Sequence, residues 1–330
     1  MDIREKITAR VRRRFDALRM AAALEEKWLA DTVALDIDPR LRGLHETIHQ
    51  IAYKNLARFP NLVLPENYND RIHWLMLFDQ DERVVQCSDK LAVREYVRAR
   101  VGDQYLTRLH AEAATTRELD WATLPPACVI KTNHDSGTVF LVPDKATADF
   151  QAIRQRLDAS LGRVFASERG EWAYGLIPPR ILVEEHLNPT SPIPPPDYKF
   201  HCIEGRVSFV QFIMDRGHHP KEAILDPQWR RLPIHFDRHF SECPAAPDRP
   251  ANLAEMEEVV EALAKGFKYV RVDVYNLAGR VVFGEMTFFP TSGTYHGYGA
   301  YQLGPYMQFD LLSRKPPISD GAMRLDVRQS

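Results

Sequence analysis

Apolar residues return every three or four positions at Ile3, Ile7, Val11, Phe15 and Leu18, the spacing of one helix face, while Arg10, Arg12, Arg13, Arg14 and Arg19 fill much of the remaining circumference. Two uses fit such a basic amphipathic helix. Its apolar stripe packs on the protein beneath a solvated face, or residues 1–20 rest on an anionic membrane surface. Helical spacing also covers 44–57, 70–78 and 90–100, with Pro60 and Pro65 as punctuation. Ser88 or Asp89 caps the last of these helices, and Val101 and Gly102 end it. From residue 127 the period shortens. Strands are expected at 128–131, 138–142 and 180–187, with a helix over 146–160. Residues 188–196 hold five prolines in nine positions and must run extended. A hairpin over 198–203 and 206–214 follows, turning at Glu204 and Gly205. A helix over 253–265 then leads to a second hairpin, 270–275 and 280–289.

That last hairpin carries Arg271, Asp273 and Glu285 where a strand would ordinarily be apolar. Their register decides what they can do. If Asn276 pairs Arg280 across a three-residue loop with Gly279 left-handed, Arg271 faces Glu285, and Asp273 lies diagonally on the same face. A loop one residue different puts the two carboxylates on opposite faces. The plain alternative is a solvated face with an ordinary cross-strand Arg–Glu pair. On one face, these groups make a place to hold metal and phosphate.

Length and charge narrow the class. The 330 residues, 45% hydrophobic with net charge −2, suffice for a sizeable core in two or three structural units of a soluble globular protein. No apolar run approaches the roughly 20 residues needed to span a bilayer, and no signal-peptide core is evident, so the cytoplasm is the expected location, with the inner face of the membrane as a variant. Cys87, Cys128, Cys202 and Cys243 are too far apart for metal or redox pairs and read as reduced thiols. The near-neutral balance argues against a dedicated nucleic-acid binder.

Lys131 ends an apolar strand and is followed by Asn133, His134, Asp135, Ser136 and Gly137, a turn that can fold over a polyphosphate with backbone N–H groups and one ammonium. A plain hairpin uses the same pattern. Glu184 and Glu185 close another apolar strand, where a carboxylate and backbone groups could read adenine and ribose; solvated strand-end acids are the alternative.

In order and spacing these pieces resemble the ATP-grasp superfamily, and within it the TupA-like group associated with bacterial surface-polysaccharide synthesis. The likeness runs over about 67–304. Its marks are Ser88-Asp89-Lys90 with Ala92-Val93-Arg94-Glu95-Tyr96-Val97, then Lys131-Thr132-Asn133-His134, Asp197-Tyr198-Lys199-Phe200, Arg271-Val272-Asp273 and Gly284-Glu285-Met286-Thr287. The resemblance implies an α+β ATP-grasp fold, two subdomains clasping ATP and Mg²⁺. A helical N-terminal region at 1–66 and a helical lead-in at 67–126 would precede a first subdomain and hinge at 127–196. A second subdomain with the metal site would fill 197–304, and a tail 305–330.

Carried over residue by residue, the resemblance implies that Lys131 touches the α- and β-phosphates, assisted by Lys90, beneath a loop of His134, Ser136 and Gly137. Glu184, Glu185, His186 and Leu187 would bind adenine and ribose, and Lys199 would reach the γ-phosphate. Asp273 and Glu285 would hold Mg²⁺, with Arg271 stabilising the transferring phosphoryl group. Ser292 and Gly293 fall where related ligases bind an acceptor carboxylate. Arg216, His218 and His219 are candidates for an anionic acceptor, or form a solvated basic turn. Two positions depart from the pattern. Thr287 stands where an asparagine metal ligand is common. Asp135 stands where glycine is commoner, and a negative side chain over phosphates is unfavourable unless it points away or meets a metal.

The reading that follows is an ATP- and Mg²⁺-dependent ligase joining a carboxylate, a uronic-acid sugar or amino acid, to an amine in the synthesis of a capsule or similar glycan. Natural-product amide synthesis would use the same residues. A phosphotransferase acting on a sugar or small molecule and a non-catalytic nucleotide sensor are rivals of other classes. A glycosyltransferase does not call for this order of lysines and acids. Oligomeric state is not legible.

Overall fold

Strands that alternate polar and apolar residues need a cover on one face only, and the second half of this chain is built that way. The computed structural model describes residues 3–163, 169–191, 193–216 and 219–315. Five helices come first: α1 (Ile3–Leu35), α2 (Arg42–Leu56), α3 (Tyr68–Phe78), α4 (Arg83–Ser88) and α5 (Val93–Arg100). Asp89 does serve the turn ahead of α5, its Oδ1 accepting from the backbone N–H groups of Leu91 and Ala92. A four-stranded antiparallel sheet follows, with β1 (Leu109–Ala113), β4 (Ile181–Glu185), β2 (Cys128–Thr132) and β3 (Val139–Val142) in that spatial order. β1 comes from the stretch expected to be a helical lead-in. Helix α6 (Phe150–Leu161) packs Ile153 and Leu157 on Ile130, Ile181 and Val183 of this sheet to form a small separate core.

The second sheet runs β11 (Arg280–Thr287), β10 (Tyr269–Leu277), β5 (Asp197–Ile203), β6 (Arg206–Met214), β7 (Lys221–Leu225) and β8 (Arg231–Leu232), with β9 (Ser241–Glu242) beside β7. The two strands after β6 and the short β9 carried no alternation strong enough to be expected. Phe200, Cys202, Val270, Val272 and Met286 join Met256, Val259, Val260 and Leu263 of α7 (Leu253–Ala264) in the main core. That core also takes in Trp28, Leu44, Ile48, Ile72, Trp74 and Val97, so the N-terminal helices are packed with the second sheet rather than the first. Short α8 (Gly299–Gln302) closes the far side. Among the described residues no helix is long and apolar enough to cross a membrane. Of the basic helix's apolar stripe, Ile3, Ile7, Val11 and Phe15 lie outside the described side chains, and Leu18 is exposed.

The hairpin of β10 and β11 corrects the expected register. Leu277 pairs with Arg280 across a two-residue turn, with φ of 51° at Ala278 and 97° at Gly279, not across three residues from Asn276. That shift alone would split the carboxylates between faces. A bulge then inserts one residue in β11: Val274 pairs with Phe283 but Asp273 with Glu285, leaving Gly284 unpaired. Two shifts of one restore the common face. Asp273 therefore stands opposite Glu285, and Arg271 opposite Thr287 rather than Glu285. A Cβ on Gly284 would sit 3.0 Å from the Asp273 carbonyl oxygen and 3.3 Å from the Tyr275 ring. Gly284→Ala should lower stability by about 1–2 kcal/mol through this crowding. Ala278→Asn should raise it by about 0.5–1 kcal/mol, because asparagine tolerates the left-handed turn position better. Urea unfolding checks both; equal losses in the two variants would contradict the turn and bulge.

Candidate active site

The polar face of β10 and β11 is a closed set of charges. Arg271 Nε donates to Asp273 Oδ1 at 2.6 Å, and its Nη2 donates to Asp273 Oδ2 and Glu285 Oε1, each at 2.8 Å, and to Thr287 Oγ1 at 3.0 Å. The Thr287 hydroxyl donates to Glu285 Oε1 at 3.1 Å. From β5, Lys199 pairs with Asp273 Oδ2, as the register Asp273 opposite Lys199 requires. Burial resists charge on Asp273, yet Arg271 and Lys199 hold its carboxyl below the usual range. Burial equally opposes the Arg271 cation, and Asp273 and Glu285 keep it protonated. Glu285 is the open member, its side chain 42% exposed. Two carboxylates facing each other across adjacent strands are a donor set that fits Mg²⁺, which prefers oxygen ligands and keeps waters or phosphates as the rest.

Further cations come from β2, from α5 and from the turn ahead of it. Lys90 Nζ donates to the Asp135 carbonyl oxygen, and burial lowers its pKa against the pull of Glu285. Lys131 Nζ lies 2.6 Å from Glu184 Oε2, and Arg94 approaches Glu184 Oε1 at 3.2 Å. Glu184 is thus buried between two cations. Glu185 accepts from Arg108 N at 3.1 Å and from Arg280 of β11 at 2.9 Å, an ion pair that joins the two sheets. His186 Nδ1 accepts from Asn188 N at 3.2 Å, and burial lowers its pKa. Leu187 beside it is half-buried.

The turn between β2 and β3 settles the departure at Asp135. Its carboxylate points inward and accepts hydroxyl bonds from Thr132 and Thr138 at 2.5 Å and from Ser160 at 2.6 Å. Burial pushes this carboxyl up, but the three hydroxyls and Lys90 hold it below the usual range. His134 is buried too, its Nε2 donating to the Ser160 carbonyl at 3.2 Å. Only Ser136 and Gly137 (φ 102°) stand exposed at the tip. A loop tied to the end of α6 by its two larger side chains offers backbone, not charge, to a ligand above it.

On the far side of Lys199, buried Asp197 lies 2.9 Å from Arg216, and burial pushes its carboxyl up against the pull of Lys199 and Arg216. His218 lies outside the described residues. After β11, the Ser292 hydroxyl donates to Glu171 Oε1 at 2.7 Å and its carbonyl accepts from His73 Nε2 at 3.1 Å. Gly293 (φ 65°) passes so near α3 that a Cβ would come within 2.9 Å of His73 Nε2. The second sheet therefore gathers Arg271, Asp273, Glu285, Thr287 and Lys199 in one cluster, while Lys90 rests on the Asp135 carbonyl. Lys131 is engaged with Glu184 inside the first sheet.

Sequence reasoning passed over Asp197, Arg94 and Glu171. Asp197 had a signal, since it precedes Lys199 by two residues and so shares its face. Arg94 stood in a quoted stretch, but its partner Glu184 is 90 residues away. Glu171 sits in an irregular segment before the 3-10 turn Trp172–Leu176 and carried no pattern.

With this geometry in place, comparison with known proteins is decisive for the family. A family model described as TupA-like ATPgrasp matches residues 70–300, and the chain belongs to that family and has its ATP-grasp fold. Solved structures similar to it include D-alanine–D-alanine ligase from Bacillus anthracis complexed with ATP, at 16% identity over 62% of this chain and 54% of that one, TM-score 0.36. L-amino acid ligase from Bacillus licheniformis matches at 17% identity over 80% and 54%, TM-score 0.40. ATP-grasp ligase PsnB complexed with minimal precursor matches at 12% identity over 68% and 60%, TM-score 0.36. This chain thus covers little more than half the length of these relatives. No curated protein sequence matches it.

Glu171 gives the site a pH signature. It is buried, and burial pushes its carboxyl up to about 7 against the bond from Ser292. A carboxyl raised above its unfolded value stabilises the fold at low pH, and that stability is lost as pH rises from about 4.5 to about 7, at most about 3 kcal/mol. Glu171→Gln should remove this slope. Urea melts at pH 5 and pH 8 should show the wild type losing its advantage over the variant; parallel curves would contradict a buried neutral Glu171.

Proposed function

We propose that this protein is an ADP-forming carboxylate–amine ligase. One observation carries the reading: Lys199, Arg271, Asp273, Glu285 and Thr287 form one charged cluster on the polar face of the second sheet. A carboxylate oxygen of one substrate attacks the γ-phosphorus of ATP and ADP leaves. An amine then attacks the acyl carbon, loses its proton, and phosphate leaves with the carbon–oxygen bond, giving an amide. Mg²⁺ held by Asp273 and Glu285 supplies charge neutralisation at the phosphates when bound.

The protein's own residues bind and orient. Lys90, Lys131 and the backbone at Ser136 and Gly137 cradle the phosphates. Lys199 exchanges Asp273 for the γ-phosphate, leaving that carboxylate to a metal, and Arg271 holds the developing negative charge. His186, Leu187 and Glu185 form the base and ribose wall, and Ser292 and Arg216 meet the acceptor. The carboxylate we infer is a uronic-acid sugar or an amino acid, and the destination a bacterial surface glycan.

Incubation with Mg·ATP and a matrix of uronic acids and amino acids tests the reading through ADP release and adduct mass. An amide adduct formed with ADP supports it; a stable phosphorylated product, or AMP, overturns it. Asp273→Asn and Glu285→Gln should each lower turnover by on the order of 100-fold or more, with folding followed by thermal melting. Lys131→Met should mainly weaken nucleotide binding and Lys199→Met mainly lower turnover. Unchanged affinity and rate in both lysine variants would remove them from the cleft.

A further inference from the structure

The hairpin of α1 and α2 precedes the family match and contributes none of the cleft residues, yet its centre is polar. Asp31 of α1 and His45 and His49, one turn apart on α2, are each 1% exposed or less. Both imidazole Nε2 atoms aim at one oxygen: Asp31 Oδ2 lies 3.0 Å from His45 and 3.3 Å from His49. His49 Nδ1 lies 2.9 Å from the His45 carbonyl oxygen, which can only accept, so Nδ1 carries the proton. In the neutral ring Nε2 is then a bare lone pair set against a carboxylate oxygen, and it makes no hydrogen bond. Two electron-rich atoms buried face to face repel unless a cation lies between them.

We propose that Asp31, His45 and His49 bind a divalent transition metal of the zinc class, as three protein ligands with the fourth tetrahedral position left to a water. The three ligand atoms lie within 4.8 Å of one another. Tetrahedral zinc with bonds of about 2.0 Å sets ligand atoms roughly 3.3 Å apart, which the two measured separations approach. Histidines four apart present both rings on one helix face, and these stack with centroids 4.0 Å apart. The Nδ1–H bond from His49 to a backbone carbonyl is the contact that fixes a metal-bound imidazole and exposes its Nε2 lone pair. Lys27 occupies the other carboxylate oxygen at 3.1 Å, leaving Oδ2 for the metal. Two imidazoles and one carboxylate suit zinc and its neighbours over Mg²⁺, which takes oxygen. Trp28 and Phe59 pack their rings against His45 and His49, so a metal here would fasten α1 to α2 away from bulk water.

The test uses the full chain expressed without a histidine tag. Elemental analysis should find one transition-metal ion per chain. Chelation should lower the melting temperature, and Zn²⁺ but not Mg²⁺ should restore it. His49→Gln should lose the metal and the zinc-dependent shift, whereas Glu285→Gln, at the open edge of the cluster, should keep both, which separates this site from the cleft. If His49→Gln does not fold, chelation and zinc return on the wild type decide alone. A wild type without stoichiometric metal, whose melting ignores chelator and zinc, overturns the proposal and leaves a protonated His49 paired with Asp31.

Discussion

A carboxylate out of water persists as an anion only beside a cation, and in the cleft Asp273 meets that condition twice over, with Arg271 on both oxygens and Lys199 on one. The other elements serve this arrangement. Five residues from three strands must reach one sheet face, which demands the Asp273–Lys199 register between β10 and β5 and the Gly284 bulge between β10 and β11. α7 covers the opposite face with apolar side chains, so the strands are free to be polar on this one. Breaking the cluster by removing one partner leaves a buried charge unpaired, a loss of about 3–5 kcal/mol.

The acids of the cluster are neutralised by the protein's own arginine and lysine. In the proposed function a metal would replace Lys199 on Asp273, and phosphate would replace Asp273 on Lys199. The first sheet follows the same rule at Glu184, held between Lys131 of β2 and Arg94 of α5. The Arg280–Glu185 pair spans the two sheets but is partly exposed on both sides, so it registers the sheets more than it stabilises them.

Much of this was legible in the sequence. Alternation located strands at 198–203, 206–214, 270–275 and 280–289, close to β5, β6, β10 and β11, and the charged exceptions within the last two marked the cluster. The register was not legible, because a two-residue turn and a compensating bulge leave the same residues on one face as a three-residue turn with none. The pairing of Asp273 with Glu285 and of Leu277 with Arg280 distinguishes them. The direction of Asp135 depended on Ser160, 25 residues on and in another element. Glu171, in an irregular segment, and β7 to β9, with little alternation, gave pattern reading nothing to use. The helical N-terminal region was recognised as helix, but its packing into the second sheet's core rests on long-range contacts no local period encodes.

Positional isotope exchange tests the central claim most directly, since it reports γ-phosphoryl transfer to a carboxylate without needing the amine. ATP carrying heavy oxygen at the β,γ bridge is incubated with the protein, Mg²⁺ and pooled uronic and amino acids. The account predicts scrambling of the label into the nonbridging positions only when a carboxylate is present, and its loss in Lys199→Met. Scrambling supported by a sugar without a carboxyl group, or nucleotide binding with no scrambling for any carboxylate, would contradict it.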